Sequence, residues 1–144
     1  MTDVPGWRAL IPHRGAMCLL DAVVAWDDER IHMTTRSHAR ADNPLRSDGR
    51  LRAVHLCEYG AQAMAVHGGL LAARAGASAA PGFLVALRAV RLHVDRIDAL
   101  PQALDVHAET LAAGDASWQY AFRVECAGRV LAEGRAAVMR APGP

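Results

Sequence analysis

The chain has 144 residues, which suits one compact domain spanning 1–144 and leaves no room for a second core. At 52% hydrophobic and 22% charged residues it is globular in composition rather than disordered. Its sixteen basic residues, all Arg, against fifteen acidic give a net charge of +1; this argues against a nucleic-acid binder, and the lack of Lys excludes Schiff-base chemistry and a phosphate-loop lysine.

The first residues, Met1-Thr2-Asp3-Val4-Pro5-Gly6-Trp7, carry no basic stretch followed by an apolar one, so no secretory signal is expected. Leu19 to Trp26, rich in Leu and Val, predicts a strand. Asp27 to Arg30 is a polar turn. Ile31 to His38 predicts a second strand with Ile31, Met33 and Thr35 on one face and His32, Thr34 and Arg36 on the other. The two make a hairpin. Ala39 to Arg50, broken by Asn43-Pro44 and Asp48-Gly49, reads as a loop. Leu51 to about Arg74 is the best helix, rich in Ala, Leu, Met, Glu and Gln. Arg52, Glu58, Gln62 and His67 interrupt it, so it is no membrane span.

The apolar residues of that helix surround its axis, which marks a buried helix. Ala72 to Pro81 ends in a flexible loop. Phe83 to Asp95, Ala103 to Ala112, Ser117 to Cys126 and Val130 to Met139 predict four strands with turns at Ala113-Gly114-Asp115 and Ala127-Gly128-Arg129. Ala141 to Pro144 reads as a frayed tail. The pattern is α+β: a hairpin, one long helix, then antiparallel strands. A sheet covers one side of the helix, and a second subunit is the expected cover for the other, so a homodimer is expected. Cys18, Cys57 and Cys126 have no metal or disulfide spacing and read as small buried hydrophobes. A cytoplasmic protein without a metal, nucleotide or membrane span is expected.

Two segments carry a resemblance. Ile11-Pro12-His13-Arg14-Gly15-Ala16-Met17-Cys18-Leu19-Leu20-Asp21 resembles the (L/I)-P-H-R-x-P-M-x-L-(L/V)-D opening of 3-hydroxyacyl-acyl-carrier-protein dehydratases, and Glu58-Tyr59-Gly60-Ala61-Gln62-Ala63 resembles the E-x-x-A-Q-A start of their central helix. In this order and spacing the chain is similar to the small dehydratases of aryl-polyene biosynthesis. The resemblance covers essentially the whole chain and implies a hot-dog fold, an antiparallel sheet wrapped around one long helix. It also implies removal of water from 3-hydroxyacyl thioesters to give trans-2-enoyl thioesters in fatty-acid or polyketide synthesis. The implied partners are an acyl-carrier protein or CoA thioester, with phosphopantetheine or CoA carried by the substrate and no other cofactor. A homodimer, a higher oligomer or a complex with another hot-dog subunit is implied as well. The family's G-H-F-P loop has no counterpart: Asn43 to Arg52 is shorter and contains no His.

Dehydration needs a base for the α-proton, an acid for the leaving hydroxyl and donors that polarise the thioester carbonyl. Glu58 is one half of the pair, a carboxylate in the apolar surround Leu56-Cys57-Tyr59-Ala61. His13, in a Pro-bounded irregular segment, is its leading partner, within the chain or across a dimer. His55, three residues before Glu58 on the same helical face, is the rival. Ala53 and Val54 supply helix N-terminal amides for the thioester oxygen. Gln62, one turn after Glu58, can bind the carboxylate and sits among the substrate-binding candidates. Arg14 reads as solvated or as a contact for the carrier or its phosphate. His67 reads as a core or interface residue, and His32, His38, His93 and His107 as strand residues facing solvent or the sheet interior. Two other readings remain: a thioesterase using a lone helix carboxylate and water, and an inactive acyl-binding subunit of an active hot-dog partner.

Overall fold

The computed structural model describes residues 6–77, 82–114 and 116–140. The predicted tail 141–144, the loop stretch 78–81 and the turn residue Asp115 lie outside them. Six strands form one antiparallel sheet: β1 (Ala22–Trp26), β2 (Arg30–Thr35), β3 (Gly82–Leu92), β4 (Leu104–Ala113), β5 (Ser117–Cys126) and β6 (Arg129–Arg140), in the spatial order β1-β2-β4-β5-β6-β3. The single α-helix, α1 (Leu56–Arg74), packs against β2, β4, β5 and β6.

Side-chain alternation decides which face of the sheet meets the helix. Ile31, Met33 and Thr35 of β2 are buried, while His32 and Thr34 are half-buried on the other face, as the period of two predicts. The β1–β2 turn is closed by Asp27, whose Oδ1 accepts the N–H groups of Glu29 and Arg30, both at 2.8 Å. The β5–β6 turn places Ala127 (φ 51°) and Gly128 (φ 80°) in left-handed conformations, the two-residue geometry that matches strand twist. In β3 the predicted two-face alternation fails. Register shifts fall between Leu84 and Ala86 and between Arg88 and Arg91, with Ala89 at φ 52° between the latter two.

The helix begins later than its composition predicts. Leu51 and Arg52 run extended beside 95–98. Leu51 N–H donates to Asp98 Oδ1 (2.9 Å), Ile97 N–H to the Leu51 carbonyl (2.9 Å) and Ala53 N–H to the Asp95 carbonyl (3.0 Å). A 3-10 turn at Ala53–His55 then leads into α1. Likewise, the chain before β1 is not strand: Leu19 N–H is taken by a helix side chain, Gln62 Oε1, at 2.9 Å. His38 falls in a buried 3-10 turn beyond the end of β2.

The long helix is buried over most of its circumference, while Glu58, Ala61, Ala65 and Gly68 form a half-buried stripe along it. Its side chains Leu56, Tyr59, Ala63, Val66 and His67 are fully buried within the single chain. The sheet covers one side. The opening segment covers another, through Trp7, Leu10, Ile11, Leu19 and Leu20. Two glycines allow the close approach. A Cβ on Gly60 would stand 2.7 Å from the Phe122 ring, and one on Gly69 would stand 2.7 Å from Leu10 Cβ.

Candidate active site

The opening segment reaches the helix by a path set by its own sequence. A 3-10 turn at Trp7–Leu10 buries Trp7. Ile11 is buried behind it, Pro12 restricts the backbone, and Gly15 at φ 58° opens a second 3-10 turn, Gly15–Met17. This path brings His13 to the first turn of α1. His13 Nε2 lies 3.3 Å from Glu58 Oε1 in the same chain, with side chains 25% and 35% exposed, so both groups are reachable from solvent. Glu58 is thus less enclosed than its apolar neighbours in sequence predict. His13 Nδ1 is buried and has no hydrogen-bond partner among the described residues.

Gln62 joins the two halves of the site. Its Oε1 accepts the Leu19 N–H, and its Nε2 donates to the Met17 carbonyl (2.8 Å) and to Glu58 Oε1 (3.2 Å). The side chain is fully buried. The expected bond to the carboxylate is present, but the amide is spent on protein partners, which takes Gln62 out of substrate contact. A cavity of about 260 Å³ opens at His13, lined also by Arg8, Arg14, Cys18, Asp21 and Arg40. Arg14 curls back onto the carbonyls of Ile11 and His13.

The other candidates separate by geometry. His55 makes no hydrogen bond or ion pair with Glu58 among the described residues. It lies in the 3-10 turn ahead of α1, where α-helical spacing does not apply. The Ala53 amide is already committed to the Asp95 carbonyl, which corrects its expected role as a donor to the thioester. The Val54 N–H has no backbone acceptor among the described residues, and its side chain is half exposed beside the helix start. His67 is fully buried: Nε2 donates to the Asp27 carbonyl (2.8 Å) and Nδ1 accepts from the Tyr120 hydroxyl (3.0 Å), with burial holding its pKa below the usual imidazole value. His32 and His107 stack at 4.3 Å on the helix-free face of the sheet, and His93 pairs with Glu133. Among the described residues no group of three or more His, Cys, Asp and Glu side chains is arranged to hold a metal ion, and no helix is long and apolar enough to cross a membrane.

Two supports escape sequence reasoning. Asp98, held by Arg96 and by the Leu51 N–H, fixes the chain leading into Val54, and the Arg96 guanidinium keeps its carboxyl far below the usual carboxylate range. Tyr59, next to Glu58, sends its hydroxyl the other way, to Ser37 Oγ (2.8 Å) and Asn43 Nδ2 (3.1 Å). That network ties the Ser37–Asn43 loop to the helix. Both supports join groups distant in sequence, so no local pattern announces them.

The sequence profile of the ApeP-like family, described as ApeP dehydratase, matches residues 5–143. The chain belongs to this family. It is an aryl-polyene-type dehydratase with a hot-dog fold. A chain of the dehydratase heterocomplex ApeI:P from Xenorhabdus doucetiae is similar to it with a TM-score of 0.84 at 25% identity, over 94% of this chain and 91% of that one. The putative thioesterase from Shewanella oneidensis (TM-score 0.63, 13% identity, 94% and 92% covered) shares the fold. So does a mutant of the phenylacetic acid degradation protein PaaI from Thermus thermophilus (0.62, 17%, 96% and 100%). No curated protein sequence matches the chain.

Proposed function

We propose that this dehydratase eliminates water from a 3-hydroxyacyl thioester on an acyl-carrier protein, with His13 and Glu58 as its acid–base pair. The observation that carries the assignment is their 3.3 Å contact at the start of α1, with both side chains open to solvent. His13 takes the α-proton, and the C–H electrons become the new carbon–carbon double bond. The C–O bond breaks as Glu58 gives a proton to the departing hydroxyl, which leaves as water. The Val54 N–H donates to the thioester oxygen, where charge develops as the α-proton leaves. The elimination is redox-neutral, so the phosphopantetheine or CoA carried by the substrate is the only cofactor the reaction calls for. Three free thiols fit a reducing cytoplasm, and residues 1–144 make one hot-dog domain.

The edge strand β3 supports a paired assembly. Leu84, Val85, Leu87, Val90 and Leu92 are each 37–46% exposed along an unpaired edge, a surface that natural sheets cover or pair. A second copy, or another hot-dog subunit as in the ApeI:P heterocomplex, fits that edge.

The test is incubation with one 3-hydroxyacyl chain loaded on a carrier protein and on CoA, followed by mass spectrometry. Loss of one water is expected, and Glu58→Gln and His13→Ala lower the rate by about 10²–10⁴-fold. Hydrolysis to the free acid in place of water loss overturns the elimination in favour of a thioesterase. Activity seen only after a second hot-dog subunit is added assigns this chain a supporting part.

A further inference from the structure

We infer that the helix-free face of the sheet carries a second binding site, a groove that takes a small phosphate-bearing anion at Arg88, Arg91 and Arg135. A cavity of about 710 Å³ lies along that face, the size of a small-ligand pocket. Its lining crosses all six strands, from Trp26 of β1 through His32, His107 and Arg123 to Arg135 and Arg91. The sheet stands between this groove and the helix that carries Glu58.

The irregularity of β3 gathers positive charge at one end of the groove. Residues three apart in a regular strand point to opposite faces. The register shift between Arg88 and Arg91, with Ala89 at φ 52°, absorbs one residue. Arg88 then pairs with Arg135 and Arg91 with Glu133, two positions of β6 that share a face. Ala132 and Ala136 are buried on the opposite face, so all three arginines stand on the helix-free side. Arg88 and Arg135 are like charges directly across from each other, a pairing that costs stability unless an anion lies between them. The carboxylates nearby are already engaged: Glu109 with Arg30, Asp105 with His32, Glu125 with His107 and Arg123, and Glu133 with His93. Among the described residues Arg88, Arg91 and Arg135 make no hydrogen bond or ion pair. Guanidinium forks bind phosphate oxygens in pairs, which suits such a cluster to a phosphate group. The stacked His32 and His107 begin two strands, about 10 Å, from Arg135, so an organic phosphate can extend from the arginines along the groove.

Calorimetric titration with pyrophosphate and with ADP, at pH about 8 and constant ionic strength, tests this. Saturable binding of one anion per chain is expected with Kd below about 1 mM. Arg91→Gln combined with Arg135→Gln should raise that Kd at least about tenfold. Arg50→Gln, an exposed arginine outside the groove, should leave it within about twofold. Arg91 and Arg135 are exposed, and losing Arg135 removes a like-charge pair, so the double variant should melt no lower than wild type when no anion is present. Added pyrophosphate should raise the Tm of the wild type and leave that of the double variant unchanged. Tighter binding of ADP than of pyrophosphate identifies an organic phosphate as the ligand, and equal affinities identify the phosphate group alone. Failure of both anions to saturate by about 10 mM overturns the site, as does a Kd that the double variant leaves unchanged. So does an acidic protein that binds through these arginines while neither small anion does.

Discussion

The contact between His13 and Glu58 was legible in the sequence because each sits inside a short, ordered motif. What the motif hides is the means of bringing them together. Two of the three groups that Gln62 binds are main-chain atoms, of Met17 and Leu19, and such atoms leave no mark in a sequence. The choice between His13 and His55 was equally invisible, since it turns on a 3-10 turn ahead of the helix. His55→Ala is expected to keep kcat within about twofold of wild type in the water-loss assay, against the about 10²-fold or greater loss from His13→Ala. A second residue-scale prediction concerns His67. Burial, the main cause, lowers its pKa below the ordinary 6.5, and His38 is depressed in the same way. The unfolded chain then binds more protons than the folded one below pH 6.5. Stability contributed by these neutral rings is complete above that pH and is lost as pH falls through the depressed folded values. Urea midpoints measured from about pH 7.5 to about pH 5 should decline toward acid, with a shallower decline in His67→Gln.

At the scale of elements, the strands with their own turns were read closely. Ser117 to Cys126 is strand from end to end as predicted, because a period of two and a Gly-bearing turn are local signals. The errors cluster where a distant group captures the backbone. Gln62 holds Leu19 outside the strand, which begins only at Ala22, and Asp98 delays the helix beyond Leu51. The helix–sheet contact makes a sharper prediction. Phe122 stands between Gly60 of α1 and Gly134 of β6, 2.7 Å from a Cβ built on the first and 3.0 Å from one built on the second. Gly60→Ala gains about 0.5–1 kcal/mol of helix propensity but overpacks the crossing at a cost of about 1–3 kcal/mol, so it should destabilise. Gly68→Ala meets nothing within 4 Å and should stabilise by about 0.5–1 kcal/mol. Opposite shifts of the urea midpoint in the two variants check the packing. Stabilisation by Gly60→Ala as well would mean that the helix stands farther from β5.

For the whole molecule, the architecture was foreseen: one antiparallel sheet around a single long helix. The all-round apolar helix argued for a second subunit; the chain's own opening segment covers much of the flank that the sheet leaves bare, and the stripe Glu58, Ala61, Ala65 and Gly68 stays half-buried. A further case for a partner lies at the β3 edge, where the sequence showed only alternation and the structure leaves Leu84, Val85, Leu87, Val90 and Leu92 exposed beside two register shifts. Leu87→Arg puts a charge into that edge. Light scattering is expected to show wild-type protein as a pair of chains, or as one when mixed with a hot-dog partner, and Leu87→Arg as single chains. A variant that still associates would place the interface elsewhere.

The bond from Leu19 N to Gln62 also orders events in time. Its ends lie 43 residues apart, whereas the β4–β5–β6 meander joins neighbours through short turns. Closing short loops is faster than closing long ones, so the meander can form while the opening segment is still loose. The half of the site that carries Glu58 therefore forms first. His13 reaches Glu58 when the segment docks on a helix already laid against the sheet. In stopped-flow refolding, far-ultraviolet ellipticity should recover ahead of catalytic turnover, and Gln62→Met should widen the lag between them.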